Sequence, residues 1–199
     1  MGNNYKLTIG ICSVLGRGTT FLPKILSQLQ DQIKGYETQV ELICLLDNKS
    51  IMLGEKRNMI VNMAIGEYIT FVDDYDRLSD NYIQTLVNTI DNNKDVDCIT
   101  FIVDVSINKG MYIPCYYSKD YLKDFNEPKA YRRIPNHICC VKTNIAKETP
   151  YQNILRGEDA AYAKDLLPKL NTEVMIDEVL YYYDFNIETT ETQQIIKRK

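Results

Sequence analysis

Three apolar runs constrain this chain more than any other feature: Leu7-Thr8-Ile9-Gly10-Ile11-Cys12, residues 40–46, and Tyr68-Ile69-Thr70-Phe71-Val72. Each is continuous rather than alternating, and each stops at polar residues. Such a run reads as a strand buried on both faces, because a half-exposed strand would show period two. Helical patterns lie between them. Residues 21–32 place Leu22, Ile25, Leu26 and Leu29 on one face, with Pro23 in the first turn, where a missing N–H is tolerated. A second helix is expected over 55–65, with Gly66 as its stop. Ser79 is the expected N-cap of a third, whose apolar face is Tyr82, Ile83, Leu86, Val87 and Ile90. Residues 98–103 form a fourth strand. This alternation predicts an α/β fold built from βαβ units, with helices on both faces of the sheet. In such sheets ligands bind at the carboxyl ends of the strands, which directs attention to residues 13–17, 47–50 and 73–76.

From Asp104 the character changes to Tyr-rich short strands punctuated by Pro114, Pro128 and Pro135. A helix is expected over 157–167, closed by Pro168, with short strands over 174–176 and 179–183. From residue 187 there is no apolar periodicity, so a loosely held tail is expected. The 199 residues suit one domain of two lobes. A net charge of −4 argues against a general nucleic-acid or membrane binder, although Lys129, Arg132 and Arg133 make a local basic patch. Lys197-Arg198-Lys199 reads as a solvated basic end. No run is long enough to span a membrane, and the first residues lack the apolar core of a signal peptide. Met1-Gly2 does not make a myristoylation motif, because Lys6 replaces its Ser or Thr. The six cysteines lack zinc spacing, so free thiols in a reducing, cytoplasmic setting are expected.

Three places run against stable folding and so mark candidate function. Asp73, Asp74 and Asp76 put three carboxylates into four positions at a strand end. They read either as ligands for Mg²⁺ or Mn²⁺, which take hard oxygen donors, or as an acidic turn countered by Arg77 and the following helix. In Gly54-Glu55-Lys56-Arg57-Asn58, two cations fall in a first helical turn, where the macrodipole disfavours them. They form an anion clamp or surface pairs with Glu55. Arg156-Gly157-Glu158-Asp159 opens a helix with two carboxylates, which either cap it or present a general base to a cleft. His137, the only histidine, is a structural ring, a metal ligand or a donor to phosphate. The chain has no Walker-type Gly-Lys-Ser/Thr, no Gly-x-Gly-x-x-Gly after the first strand and no Gly-x-Ser-x-Gly.

Taken in order, "LTIGICSVLGR", "ELICLLDNKS", "GEKRNMIVNMAIGEYITFVDDYDRLSDNYI" and "RGEDAAYAKDLLP" resemble family 2 glycosyltransferases of the GT-A fold, over residues 7 to about 185. The later "HICCVK" and "LYYYDF" look like small members from phage and viral genomes. The resemblance implies a Rossmann-like nucleotide-binding half at 1–103, a smaller acceptor and catalytic-base half at 104–185, and a tail at 186–199. It implies a nucleotide-sugar donor, a UDP-sugar, with Mn²⁺ or Mg²⁺ as cofactor. The acceptor would be a hydroxyl on a glycan, a protein or a modified DNA base. By this resemblance Ser13, Val14, Leu15 and Arg17 lie beside the base, and Asp47 accepts a hydrogen bond from the uracil N–H. Lys56 and Arg57 stand near the base or diphosphate, and Asp73 contacts the donor. The acidic loop at 73–76 is implied to carry the metal, through Asp74 and Asp76, and His137 is a further candidate ligand from its residue type alone. Asp159 is the implied catalytic base of an inverting displacement, with Glu158 beside it.

The acidic loop departs from the family pattern. Many members carry Asp-x-Asp-Asp after the apolar run, and their third residue is a metal ligand; here that position is Tyr75. A phenol with an ordinary pKa near 10 is a poor ligand for either ion. Asp74 with Asp76, Asp73 with Asp74, or weak metal dependence each answers the substitution. Leu15 likewise stands where a better stacking residue is usual. A catalytically inactive binding module and a nucleotidyltransferase on a similar sheet are the other readings; a missing Gly-rich triphosphate loop weighs against the latter.

Overall fold

The computed structural model describes residues 5–185. The expected loose tail beyond 186, the basic end and Met1-Gly2 lie outside the described residues. The first apolar run is strand β1 (Leu7–Val14), buried along its length except at Cys12. It pairs in parallel with β2 (Val40–Asp47) on one side and β3 (Tyr68–Phe71) on the other. Continuous hydrophobicity reports an interior strand for β1 and β3, whereas β2 lies at the sheet edge and is only half-buried over most of its length. At Gly10 a Cβ would lie 2.7 Å from Phe71 and 2.8 Å from Ile60, so the site admits only hydrogen.

A one-turn helix α1 (Leu15–Gly18) leaves β1 and leads into α2 (Leu22–Ile33), which buries Leu22, Ile25 and Leu29. Helix α3 (Leu53–Met63) begins two residues earlier than expected and stops at Ala64 rather than at Gly66. After β3 comes the short β4 (Arg77–Leu78), then α4 (Tyr82–Asn92), which buries the five expected apolar residues. Each such side chain taken from water contributes about 1.5–3 kcal/mol. Asn81, not Ser79, occupies the N-cap of α4. The α2 side chain of Gln32 donates to the Ser79 carbonyl, and a buried Ser79 hydroxyl finds no partner among the described residues.

The second half completes the same sheet. Strands β5 (Cys98–Ile107), β6 (Ile113–Tyr117), β7 (Phe125–Glu127), β8 (Ala130–Arg133) and β9 (Cys140–Lys142) give the order β2-β1-β3-β9-β5-β6-β8-β7. β9 enters antiparallel between β3 and β5, so the sheet is mixed and continuous across the boundary expected at residue 103. The helices α5 (Thr143–Lys147) and α6 (Glu158–Leu166) follow, with a 3₁₀ turn at Leu167–Lys169. The two short strands expected near the end are one, β10 (Glu173–Phe185), parallel to β5, with register shifts between Ile176 and Tyr181. Its Asp177-Glu178 interruption is a bulge rather than a break. The six cysteines are all free, and four are buried. No helix among the described residues is long and apolar enough to cross a membrane.

Candidate active site

The carboxyl ends of β1 and β3, the loop after β2, the first turns of α3 and α6, and the 134–138 segment enclose a cleft of about 900 Å³. Its wall carries six basic side chains, Arg17, Lys49, Lys56, Arg57, Arg133 and Arg156. Five carboxylates oppose them: Asp73, Asp74, Asp124, Glu158 and Asp159. A chain with net charge −4 thus gathers six of its basic side chains around this cleft, most of them paired with carboxylates.

The segment Gly54 to Asn58 organises the floor. A Cβ on Gly54 would lie 2.5 Å from the Gln152 carbonyl, so glycine lets α3 touch the 151–152 backbone. Asn58 then clasps Tyr151 in both directions: its amide donates to the Tyr151 carbonyl at 2.9 Å, and its side-chain oxygen accepts from the Tyr151 N–H at 2.7 Å. The Lys56 ammonium donates to the Ser13 carbonyl at 2.8 Å and to Asp47 at 2.5 Å. Arg57 bridges Glu158 at 3.0 Å and Asp73 at 3.4 Å, and its guanidinium lies 5.8 Å from the Phe71 ring centre and 5.5 Å from that of Tyr151. One buried cation therefore ties the acidic loop after β3 to the start of α6. Gly157, at a left-handed φ of 77°, turns the chain there without the Cβ penalty. Glu158 turns inward to Arg57, whereas Asp159 lines the cleft with no ion pair among the described residues. One Asp159 oxygen accepts the Ala160 N–H at 2.7 Å.

Several expectations change. Lys56 and Arg57 are 3% and 2% exposed, so they are neither surface partners of Glu55 nor an open clamp. Their donors are committed to protein oxygens, and only part of their surface reaches the cleft. Asp47 is held by Lys56 and the Ile51 N–H, so its carboxylate shapes the 47–51 loop and is not on the cleft wall. Leu15 sits on α1, 59% exposed and off that wall, because the chain turns helical directly after Val14. Ser13 and Val14 do line it. Asp76 is corrected most: it is off the cleft wall, where it accepts the Tyr181 hydroxyl at 2.7 Å and the Asp184 N–H at 3.3 Å. Burial and the nearby charge of Asp73 push its carboxyl well above the usual range.

Asp74 is also buried, accepting the Ser13 hydroxyl at 2.6 Å and an Arg17 N–H at 3.1 Å. Asp73 faces Arg57 with one oxygen; the other lies 3.6 Å from a His137 ring nitrogen and 3.5 Å from the Tyr75 hydroxyl. Burial alone would raise Asp73, but His137 and Arg57 outweigh it and hold the carboxyl below the usual range. His137 is buried at the cleft wall, and neither ring nitrogen has a hydrogen-bond partner within reach among the described residues. Asn58, Tyr151 and Tyr181 are structural actors that sequence reasoning did not assign, and Tyr75 was marked there only as a departure from the acidic pattern. Asn58 stood inside the unusual Gly54–Asn58 stretch, which was its signal; Tyr151 and Tyr181 had none.

The donor set does not suit the hard divalent ion expected of the acidic loop. Among the described residues no three His, Cys, Asp or Glu side chains converge on a point. Asp76 is withdrawn and Asp74 is locked to Arg17, which leaves one oxygen of Asp73 and an imidazole. Mg²⁺ and Mn²⁺ favour carboxylate, carbonyl and water oxygens over imidazole.

A cleft at the carboxyl ends of the parallel strands β1, β2 and β3 in a mixed sheet, faced by a carboxylate-bearing helix start, is the arrangement of GT-A folds. The sequence model for glycosyl transferase family 2 matches residues 19–153, so the chain belongs to that family. Among solved structures it is similar to S. aureus TarS 1-349, with a TM-score of 0.63 at 15% identity, covering 90% of this chain and 60% of that one. It is also similar to TarS 1-349 in complex with UDP-GlcNAc, with a TM-score of 0.62 at 13% identity over 90% of this chain and 58% of that one. For TarS 1-349 in complex with UDP the values are 0.60, 15%, 90% and 60%. The chain therefore spans about three fifths of these neighbours, and at such identity they speak for the fold. Among curated protein sequences, nothing matches it.

Proposed function

We propose that the protein transfers a sugar from a UDP-sugar to an acceptor hydroxyl with inversion, and that Asp159 is the base. The observation that carries this reading is the Arg57 bridge, which fixes Glu158 against Asp73 and so holds the adjacent Asp159 at the cleft beside the acidic loop. Family membership and neighbours that bind UDP-GlcNAc and UDP support the donor class. Ser13, Val14 and the 49–53 loop line the end of the cleft suited to the nucleoside, and its cations favour the diphosphate.

The chemistry needs one carboxylate. Asp159 takes the acceptor proton as the hydroxyl oxygen attacks the anomeric carbon, and the bond from that carbon to the phosphate oxygen breaks. Glu158, neutralised by Arg57, positions Asp159 and handles no proton. Hydrolases differ, needing two working carboxylates across the sugar.

Asp159→Asn is expected to lower transfer by about 10²- to 10⁴-fold while leaving UDP affinity unchanged. The measurements are product formation across a UDP-sugar panel and calorimetric titration of UDP. A fully active Asp159→Asn protein would remove the base assignment. A wild-type chain that binds UDP and transfers nothing would instead mark a binding module.

A further inference from the structure

Every carboxylate of the acidic loop is accounted for within the protein. Asp76 lies behind Tyr181, and Asp74 is bound to Ser13 and Arg17. Asp73 faces Arg57 on one side and His137 on the other. Tyr75 fills the position where a metal-binding carboxylate is expected, and its ring does something a carboxylate could not: the Arg17 guanidinium lies over it, 4.8 Å from the ring centre. Arg17 also holds Asp74 at 3.1 Å and lines the cleft. A cation seated on an aromatic face and fixed by a carboxylate is positioned before any ligand arrives. The position expected for a metal-binding carboxylate is thus an aromatic seat for an organic cation.

We propose that Arg17, held by Tyr75 and Asp74, contacts the donor diphosphate in place of a divalent metal, with the His137 ring, whose nitrogens have no hydrogen-bond partner among the described residues, as a second donor. This rests on the UDP-sugar reading of the cleft. The guanidinium fork matches phosphate oxygens in two-point geometry, and a partly desolvated site strengthens the contact. The bond changes balance without a metal. As the anomeric C–O bond breaks, its electron pair stays on the phosphate oxygen, the diphosphate gains one negative charge beside Arg17, and the acceptor proton goes to Asp159.

The test is calorimetric titration of UDP into the full chain, once with EDTA and once with Mn²⁺. Equal affinity in the two buffers is the expected result. Binding that appears only with Mn²⁺ overturns the proposal and leaves the UDP reading standing. No binding of UDP in either buffer removes the UDP reading and the proposal with it. Arg17→Ala, checked for folding by circular dichroism, is expected to weaken UDP by about 10- to 100-fold in EDTA, the range of a charged hydrogen bond, and to leave uridine binding unchanged. Unaltered UDP affinity in a folded Arg17→Ala protein also overturns it. Mn²⁺ paramagnetic resonance adds a readout independent of nucleotide: wild type is expected to leave the free-ion signal intact, and a bound-ion spectrum in the protein alone counts against the proposal.

Discussion

Arg57 is a single side chain on which two parts of the cleft depend. Removing it leaves a buried Glu158 and a half-buried Asp73 without their shared cation. Arg57→Met is expected to cost about 3–5 kcal/mol, read from denaturant unfolding, because breaking a buried pair strands the partner charge. Asp76 behaves in the opposite way. Its folded pKa is raised, so its contribution is full below the unfolded value near 3.9 and is lost as pH rises through the folded value. Asp76→Asn keeps an acceptor for Tyr181 and carries no charge. It is expected to raise the melting temperature relative to wild type by more at pH 8 than at pH 4, with UDP affinity kept; a metal ligand would lose that affinity. At this scale the sequence marked the right residues as unusual. It could not show that Arg57, Asp73 and Glu158 form one network, because pairs separated by 16 and 101 positions meet only through the fold.

Helix α3 shows how an element carries a site. Its apolar face packs on β1 through Ile60, while Gly54 and Asn58 fasten it to the 151–152 backbone. Asn58→Ala removes both bonds to Tyr151 and leaves a backbone N–H and C=O without their partner. The expected loss is about 1–3 kcal/mol, measured by chemical denaturation, with lower transfer because the segment before Glu158 loses its anchor. The periodicity of α2 and α4 was legible because their apolar faces recur at helical spacing over eleven or twelve residues. The start of α3 was not, because Met52 gives it no side-chain cap to recognise. β10 was divided in reading because Asp177-Glu178 looks like a turn, yet pairing with β5 carries the strand through it.

At the scale of the molecule, the depressed carboxyls predict how acid acts. Burial opposes Asp47, but Lys56 and the Ile51 N–H pull it down to about 2, and Asp73 is lowered as well. A group lowered in the folded state contributes stability above its unfolded pKa and loses it as pH falls through the folded one. Melting temperature is therefore expected to drop between about pH 4 and pH 2, and Lys56→Met is expected to flatten that drop. The sequence by itself determined the βαβ core, the carboxyl-end location of the cleft and the family, because hydrophobic runs and local motifs are properties of neighbouring residues. Tertiary structure alone decided that β9 enters the middle of the sheet and that Lys56 and Arg57 turn inward. It alone set Asp76 behind Tyr181 and Arg17 on the ring of Tyr75. Those outcomes depend on which distant groups can satisfy a buried charge, and that is settled only when the strands have paired.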